Sequence, residues 1–286
     1  MELTNIKTIT SLLSENGFEF KKKFGQNFLI NPSVCPKMAA LSGADKNTGV
    51  LEIGPGIGVL TKELCKVAKK VVAVEIDEKL PPLLEKTLRE FDNKTLISGD
   101  ILKLDLKKLF EEHFKDMDVV VCANLPYYIT SPVIMALLEE KLPIKSITVM
   151  VQKEAAERIS AKPGTRECGA ISLAIRYFST PKKGFSVSRG RFMPAPNVDS
   201  EVIRLDLNET PPVSLKSEEM FFKTIKAAFS MRRKTLVNCL SKDFSLPKDT
   251  LSEILSSLGI SPTARAEEVS LEEYASVSDN LFDIIK

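Results

Sequence analysis

The chain has 286 residues, 43% of them hydrophobic and 27% charged, the balance of a soluble globular protein with room for about two domains. It carries 40 Lys and Arg against 38 Asp and Glu, a net charge of +2, with a single histidine, His113, and no tryptophan. Two-histidine zinc sites and histidine relays are therefore excluded, and a Ser-His-Asp triad could be built only on His113.

The five cysteines are scattered, with no C-x-x-C pair, which predicts neither structural zinc nor disulfides and fits a reducing cytoplasm. No metal site is expected. There is no apolar run of about 18 residues and no leader pattern at the N-terminus, so no membrane span and a cytoplasmic location are expected. The near-neutral total conceals an asymmetry. From Lys141 to Arg191 there are six Lys and five Arg against three Glu, a local +8 that leaves −6 for the rest. Such a segment is either a side facing a polyanion or a solvated surface paired with acidic neighbours.

Residues 1–48 are polar and helix-like, with a basic cluster at Lys21, Lys22 and Lys23. An alternation follows. Val50–Ile53 is a short apolar strand candidate, Leu60–Lys70 has helical spacing, and Val71–Glu75 is a β-branched run. A helix is predicted to about Phe91, with Pro81 and Pro82 near its start, where proline is tolerated. Thr95–Ser98, Val119–Ala123 and Ser146–Val151 are further strand candidates. Strands separated by helices predict βαβ units, a parallel sheet with helices on both faces. Gly184–Arg189 and Glu201–Leu207 alternate with period two and predict an antiparallel finish to the sheet. Asn208–Pro212 reads as a linker. Beyond it only helical patterns occur: Glu218–Ser230, Lys234–Leu240, Asp249–Leu258 and Leu271–Ile284. Two domains are expected, 1–208 and a small all-helical 209–286.

Glu52-Ile-Gly54-Pro-Gly56-Ile-Gly58 lies between the first strand and a helix, where glycine lets the backbone turn and approach a ligand. Alone it could be a tight turn. The second strand ends in Glu75, placed to accept from the two ribose hydroxyls of an adenosine ligand. The third ends in Gly99-Asp100, placed to accept from an adenine amine. The turn lacks the G-x-G-x-x-G order of a dinucleotide site and any following P-loop lysine.

The fourth strand runs into Asn124-Leu-Pro-Tyr127-Tyr128. An exocyclic adenine amine is a poor nucleophile because its lone pair is delocalised. The Asn124 side-chain oxygen and the Leu125 carbonyl, directed by Pro126, could hold its two N–H groups and favour a pyramidal nitrogen. Tyr127 could stack on the base. Catalysis of this kind needs orientation and electrostatics, with no strong base. A target base must first leave its stack. Phe192, in Arg189-Gly-Arg191-Phe192-Met-Pro, is either a second stacking surface flanked by RNA-facing arginines, Arg189 and Arg191, or a hydrophobic plug.

On these residues the chain resembles the ribosomal RNA adenine N6,N6-dimethyltransferases, and within them the bacterial kasugamycin-sensitivity group acting on small-subunit RNA. The resemblance spans nearly the whole chain: Phe24–Leu29, Leu51–Thr61, Glu75, Asp100, Asn124–Pro132, Val151–Arg158, Phe192–Ser200 and Phe229–Leu236. It implies a Rossmann-like class I methyltransferase sheet with S-adenosylmethionine as cofactor. It implies that Gln26, Asn27 and Leu29 meet the methionine end, that Gly54 and Gly56 line the path, that Glu75 and Ile76 hold the ribose, and that Asp100 and Ile101 hold the adenine. Asn124 and Tyr127 would present the target amine, and Phe192 would stack on the target base. Arg232, Arg233 and Lys234 would be candidate phosphate contacts, with a plain helix-surface role equally open. The implied substrate is a pair of adjacent adenines in a hairpin near the 3′ end of small-subunit RNA, within a late 30S assembly intermediate, bound by a monomer.

Three other functions remain to be separated from this one. A large-subunit resistance methyltransferase shares the site but usually reads Asn-Ile-Pro-Tyr. A non-catalytic assembly factor would be expected to lack Asn124 or Glu75. A DNA adenine methyltransferase would carry a different proline motif.

Overall fold

The computed structural model describes residues 1–18 and 26–285. The basic cluster Lys21–Lys23, and Phe24 and Gly25 of the N-terminal motif, lie outside the described residues. The chain divides into two compact units, 1–156 with 181–207, and 157–180 with 208–286.

The first unit opens with α1 (Ile6–Glu15), whose N-cap Asn5 side chain accepts from the Lys7 and Thr8 amides. The short strand β1 (Phe28–Leu29) and α2 (Val34–Ser42) follow. Then strand and helix alternate: β2 (Thr48–Ile53), α3 (Val59–Val67), β3 (Lys70–Glu75), α4 (Pro81–Thr87), β4 (Lys94–Ser98), α5 (Leu106–His113), β5 (Asp118–Asn124), α6 (Thr130–Glu139) and β6 (Ile144–Gln152). After the helical excursion described below, β7 (Ser179–Val187), β8 (Phe192–Met193) and β9 (Ser200–Leu207) return to this unit. The predicted strands are all present, with ends shifted by a few residues. The largest shift is in β7, which begins five residues before the predicted Gly184.

The main sheet has the order β4-β3-β2-β5-β6-β9-β7. The pairs from β4 to β6 are parallel, and β9 runs antiparallel to β6, as the period-two pattern predicted. Every residue of β2 is buried, as expected of a central parallel strand covered on both faces. On one face Val50, Val71, Val120 and Met150 pack with Val34, Met38, Leu60 and Leu64 of α2 and α3. A second cluster joins α1 (Ile9, Leu12, Leu13) to Leu80 and to Leu83, Leu84 and Leu88 at and beyond α4. Chain order reverses between β2 and β5, so their carboxyl ends diverge into a crevice, the place where open α/β sheets bind ligands.

The second unit is helical: α8 (Ala170–Phe178), α9 (Glu218–Ala228), α10 (Leu236–Phe244), α11 (Lys248–Ser257) and α12 (Leu271–Ile285). Helix α7 (Lys153–Ser160) carries the chain out of the first unit. The expected boundary at 208/209 is therefore incomplete, because 157–180 also belongs here. The reason is packing. Leu173 and Tyr177 of α8 are buried in one cluster with Phe221, Ile225, Leu240, Leu255 and Tyr274. The +8 segment is likewise divided between the units. All five cysteines are free and buried, and among the described residues no helix is long and apolar enough to cross a membrane.

Candidate active site at the carboxyl edge of the sheet

The crevice at the β2/β5 reversal holds a cavity of about 240 Å³. Its wall contains every cofactor-binding residue expected from the sequence: Gln26, Asn27, Leu29, Gly54, Gly56, Glu75, Ile76, Asp100, Ile101 and Asn124, with Tyr127 beside them. These residues come from the ends of β1 to β5, five segments spread over a hundred positions. Chain topology brings them together.

The glycine turn is built on positive φ angles, +71° at Gly54 and +60° at Gly56, which L-residues adopt only under strain. A Cβ at Gly56 would lie 3.1 Å from the Phe28 ring, so the turn needs glycine for room as well as for angle. Glu75 is clamped beneath it: the Gly56 amide donates to Oε2 at 3.1 Å and the Asp77 amide to Oε1 at 2.9 Å. Burial pushes this carboxyl above its usual range, and the two amides pull it part of the way back. Asp77 is itself buried and accepts from Gln26 Nε2 at 3.0 Å, tying the N-terminal motif to the end of β3. Asp100 accepts from the Leu102 amide at 3.1 Å and stays partly open to the cavity mouth.

Asn124 is half-buried at the end of β5. Its Nδ2 donates toward the Asn27 carbonyl at 3.5 Å, which leaves Oδ1 to act as an acceptor. Tyr127 is anchored through its hydroxyl, 2.8 Å from Ser200 Oγ on β9. Its neighbour Tyr128 is the aromatic left outside, 56% exposed at the mouth with Ile76 and Leu102. Its hydroxyl lies close enough to Asp100 and Glu75 for their charges to add to the upward push of burial. The sequence reading passed over Tyr128. Its only signal was the doubled tyrosine.

Glu52 is the other residue it underrated. It lines the cavity at 1% exposure, and its Oε2 has no hydrogen-bond partner. Glu52, Glu75 and Asp100 put three carboxyl groups on the wall, and among the described residues no Lys, Arg or His lines it with them. A cavity so lined suits a cation and repels phosphates, which fits a sulfonium cofactor and argues against a nucleotide polyphosphate.

Phe192 is a correction. It is 3% exposed, packed with Leu29, Val34 and Val187, and it does not line the cavity. Strand β8 pairs antiparallel with β1, Phe192 opposite Leu29, and the Ile30 amide bonds to the Arg191 carbonyl. The pairing turns Phe192 inward, so the hydrophobic-plug reading describes this conformation. Arg189 and Arg191 are exposed on the turn before β8, with the Arg189 amide bonded to Asp199. Arg232, Arg233 and Lys234 are exposed between α9 and α10, in the helical unit. His113 ends α5 and does not line the cavity. Among the described residues no cluster could hold a metal ion.

Residues 17–283 match the model of the family described as ribosomal RNA adenine dimethylase. The chain belongs to this family. A protein named ribosomal RNA small subunit methyltransferase A from Bacillus licheniformis is 46% identical over 286 residues, 99% of this chain and 98% of its own. Its counterpart from Bacillus cytotoxicus is 46% identical over 94% of each chain. Among solved structures, a dimethyladenosine transferase from Plasmodium falciparum matches with TM-score 0.73 and 26% identity, covering 87% of this chain and 95% of that one. The 23S rRNA methyltransferase ErmE shares the fold, with TM-score 0.69 at 23% identity over 90% of this chain and all of its own. The family confirms the expected class: a Rossmann-like methyltransferase sheet with an added helical region, in an rRNA adenine dimethyltransferase.

Proposed function

We propose that this family member transfers methyl groups from S-adenosylmethionine to the N6 atoms of two adjacent adenines in a hairpin near the 3′ end of small-subunit rRNA. We read the substrate as a late small-subunit assembly intermediate, met in the cytoplasm by a monomer. The observation that carries the reading is one cavity at the β2/β5 reversal that joins an adenosine-holding set to Asn124-Leu125-Pro126-Tyr127.

The cofactor supplies an electrophilic methyl group on a sulfonium. The protein's own part is to hold and orient. Glu75 accepts from the ribose hydroxyls with the lone pairs its two amide donors leave free. Asp100 takes the adenine amine, with Ile76 and Ile101 against the ring, while Gln26, Asn27 and Leu29 line the amino-acid end. Asn124 Oδ1 and the Leu125 carbonyl accept the two N–H groups of the target amine, which localises its lone pair for in-line attack. Tyr127, fixed by Ser200, supports the base. No protein base is required, because the proton leaves to solvent once the charged product has formed. The helical unit, with Arg232, Arg233 and Lys234, adds phosphate contacts, as do Arg189 and Arg191 on the catalytic unit.

The test is transfer of labelled methyl groups to purified ribosomal subunits that lack the adenine methyls, followed by mapping of the modified bases. Label in small-subunit RNA at two adjacent adenines is expected. Label confined to large-subunit RNA would overturn the assignment in favour of the resistance-type activity.

A further inference from the structure

Most buried carboxyls in a folded protein have a partner, because an ionised carboxylate without one is costly away from water. Glu52 follows that pattern only in part. It is the penultimate residue of β2, at 1% exposure, separated from the glycine turn by one residue, and its Oε2 makes no hydrogen bond. Thr61, on the first turn of α3, bonds to Glu52 through its backbone amide and pulls its pKa part of the way back, while its own Oγ1 finds no well-formed hydrogen bond. The titratable groups facing Glu52 are Glu75 on β3, Cys122 on β5, Cys35 on α2 and Cys65 on α3. None is cationic. Burial, with Glu75 adding to it, pushes Glu52 up to about 8. The free protein therefore holds a neutral carboxylic acid against a cavity whose other charged groups, among the described residues, are also acids.

We propose that Glu52 is a proton-linked binding residue: it is protonated in the free enzyme and ionises when the positively charged amino-acid half of the cofactor enters the cavity. The inference rests on the S-adenosylmethionine reading above and deepens it. The carboxyl O–H bond breaks, the electron pair stays on Glu52, and the proton passes to bulk buffer. The new carboxylate and the arriving cation then neutralise each other in a site with little water. Glu52 thus stores affinity for a cationic ligand without the free protein carrying an unpaired buried charge. An uncharged adenosine derivative gains nothing from it.

Calorimetry in two buffers of different ionisation enthalpy, at about pH 6.5 so that the ligand amine is already protonated, counts the protons released. S-adenosylmethionine should release about one proton per site. 5′-Methylthioadenosine, which keeps the adenosine and lacks both positive charges, should release none. Glu52→Gln should bind S-adenosylmethionine without proton release. Binding heat independent of the buffer, equal release by both ligands, or unchanged release in Glu52→Gln would overturn the proposal. The two-ligand comparison on the wild-type protein decides the matter even if the variant does not fold. No binding heat at all with S-adenosylmethionine would instead sink the cofactor reading itself.

Discussion

The main sheet has two edges, each with a concavity and each rich in acids, and the two use their charges in opposite ways. At the carboxyl edge the cavity is about 240 Å³, with Glu52 and Glu75 buried and no basic residue among the described residues of its wall. At the amino edge a groove of about 970 Å³ runs between the start of β2, the end of α5 and the start of β5. Its acids include Asp45, Asp116, Asp118 and Glu140, and lysines stand among them. Lys107 reaches Glu140 at 3.3 Å and Lys145 reaches Asp118 at 3.6 Å, all four side chains well exposed. The larger hollow is thus a solvated, self-neutralised surface. The smaller one holds buried acids with no cation among its described lining residues. Volume does not mark the site; buried, perturbed carboxyl groups do.

The comparison can be broken or sharpened by four measurements, the larger expected effects first. Asn124→Ala should lower methyl transfer by about a thousandfold, roughly 4 kcal/mol, because it deletes a fixed acceptor aimed at the reacting amine. Calorimetry should find its cofactor affinity nearly unchanged, and wild-type turnover would remove Asn124 from its role.

Glu52 comes next. Its folded-state pKa is raised, so the folded protein binds a proton that the unfolded chain has released between about pH 4.5 and 8. Stability of the ligand-free protein should fall as pH rises through that window, then level off. At about 1.4 kcal/mol per pH unit, up to about 5 kcal/mol is expected from this residue. Urea melts across the window should show the fall in wild type and a flattened profile in Glu52→Gln.

Glu75→Gln should weaken S-adenosylmethionine binding about thirtyfold, near 2 kcal/mol, the range for a charge-assisted hydrogen bond. An unchanged dissociation constant would mean that the carboxylate serves only the Gly56 and Asp77 amides. At the opposite edge, Asp118→Asn should change stability by less than about 0.5 kcal/mol and leave transfer intact. A large loss of transfer there would show that the amino-edge groove is functional and that the contrast between the edges is false.

The carboxyl-edge site was legible because each of its parts is a local pattern. The glycine turn, Glu75, Asp100 and Asn124 each sit where an apolar run stops, and a parallel sheet carries all such stops to one edge. Glu52 and Tyr128 were less legible, since their interest lies in what surrounds them: an orphaned oxygen in one case, an uncovered ring in the other. The inward turn of Phe192 depends on pairing with Leu29, more than 160 positions earlier, and no local pattern reports such a partner. The same limit applies to 157–180. The amphipathic pattern of α8 says that it must bury one face, and only the fold says that the face meets α9 and α12.

By itself the sequence determined the class of sheet, the positions of its strand ends and the chemistry presented there, because strand period, glycine turns and strand-end side chains are short-range properties of the chain. Tertiary structure alone decided which acids lose water, which aromatic stays outside and which helices share a core, because burial is a property of neighbours brought from distant positions. Glu75 was readable as a candidate ribose ligand from its place at the end of β3. That Glu52 stands beside it with one carboxyl oxygen unpartnered is known only once β2, β3, β5, α2 and α3 have closed around it.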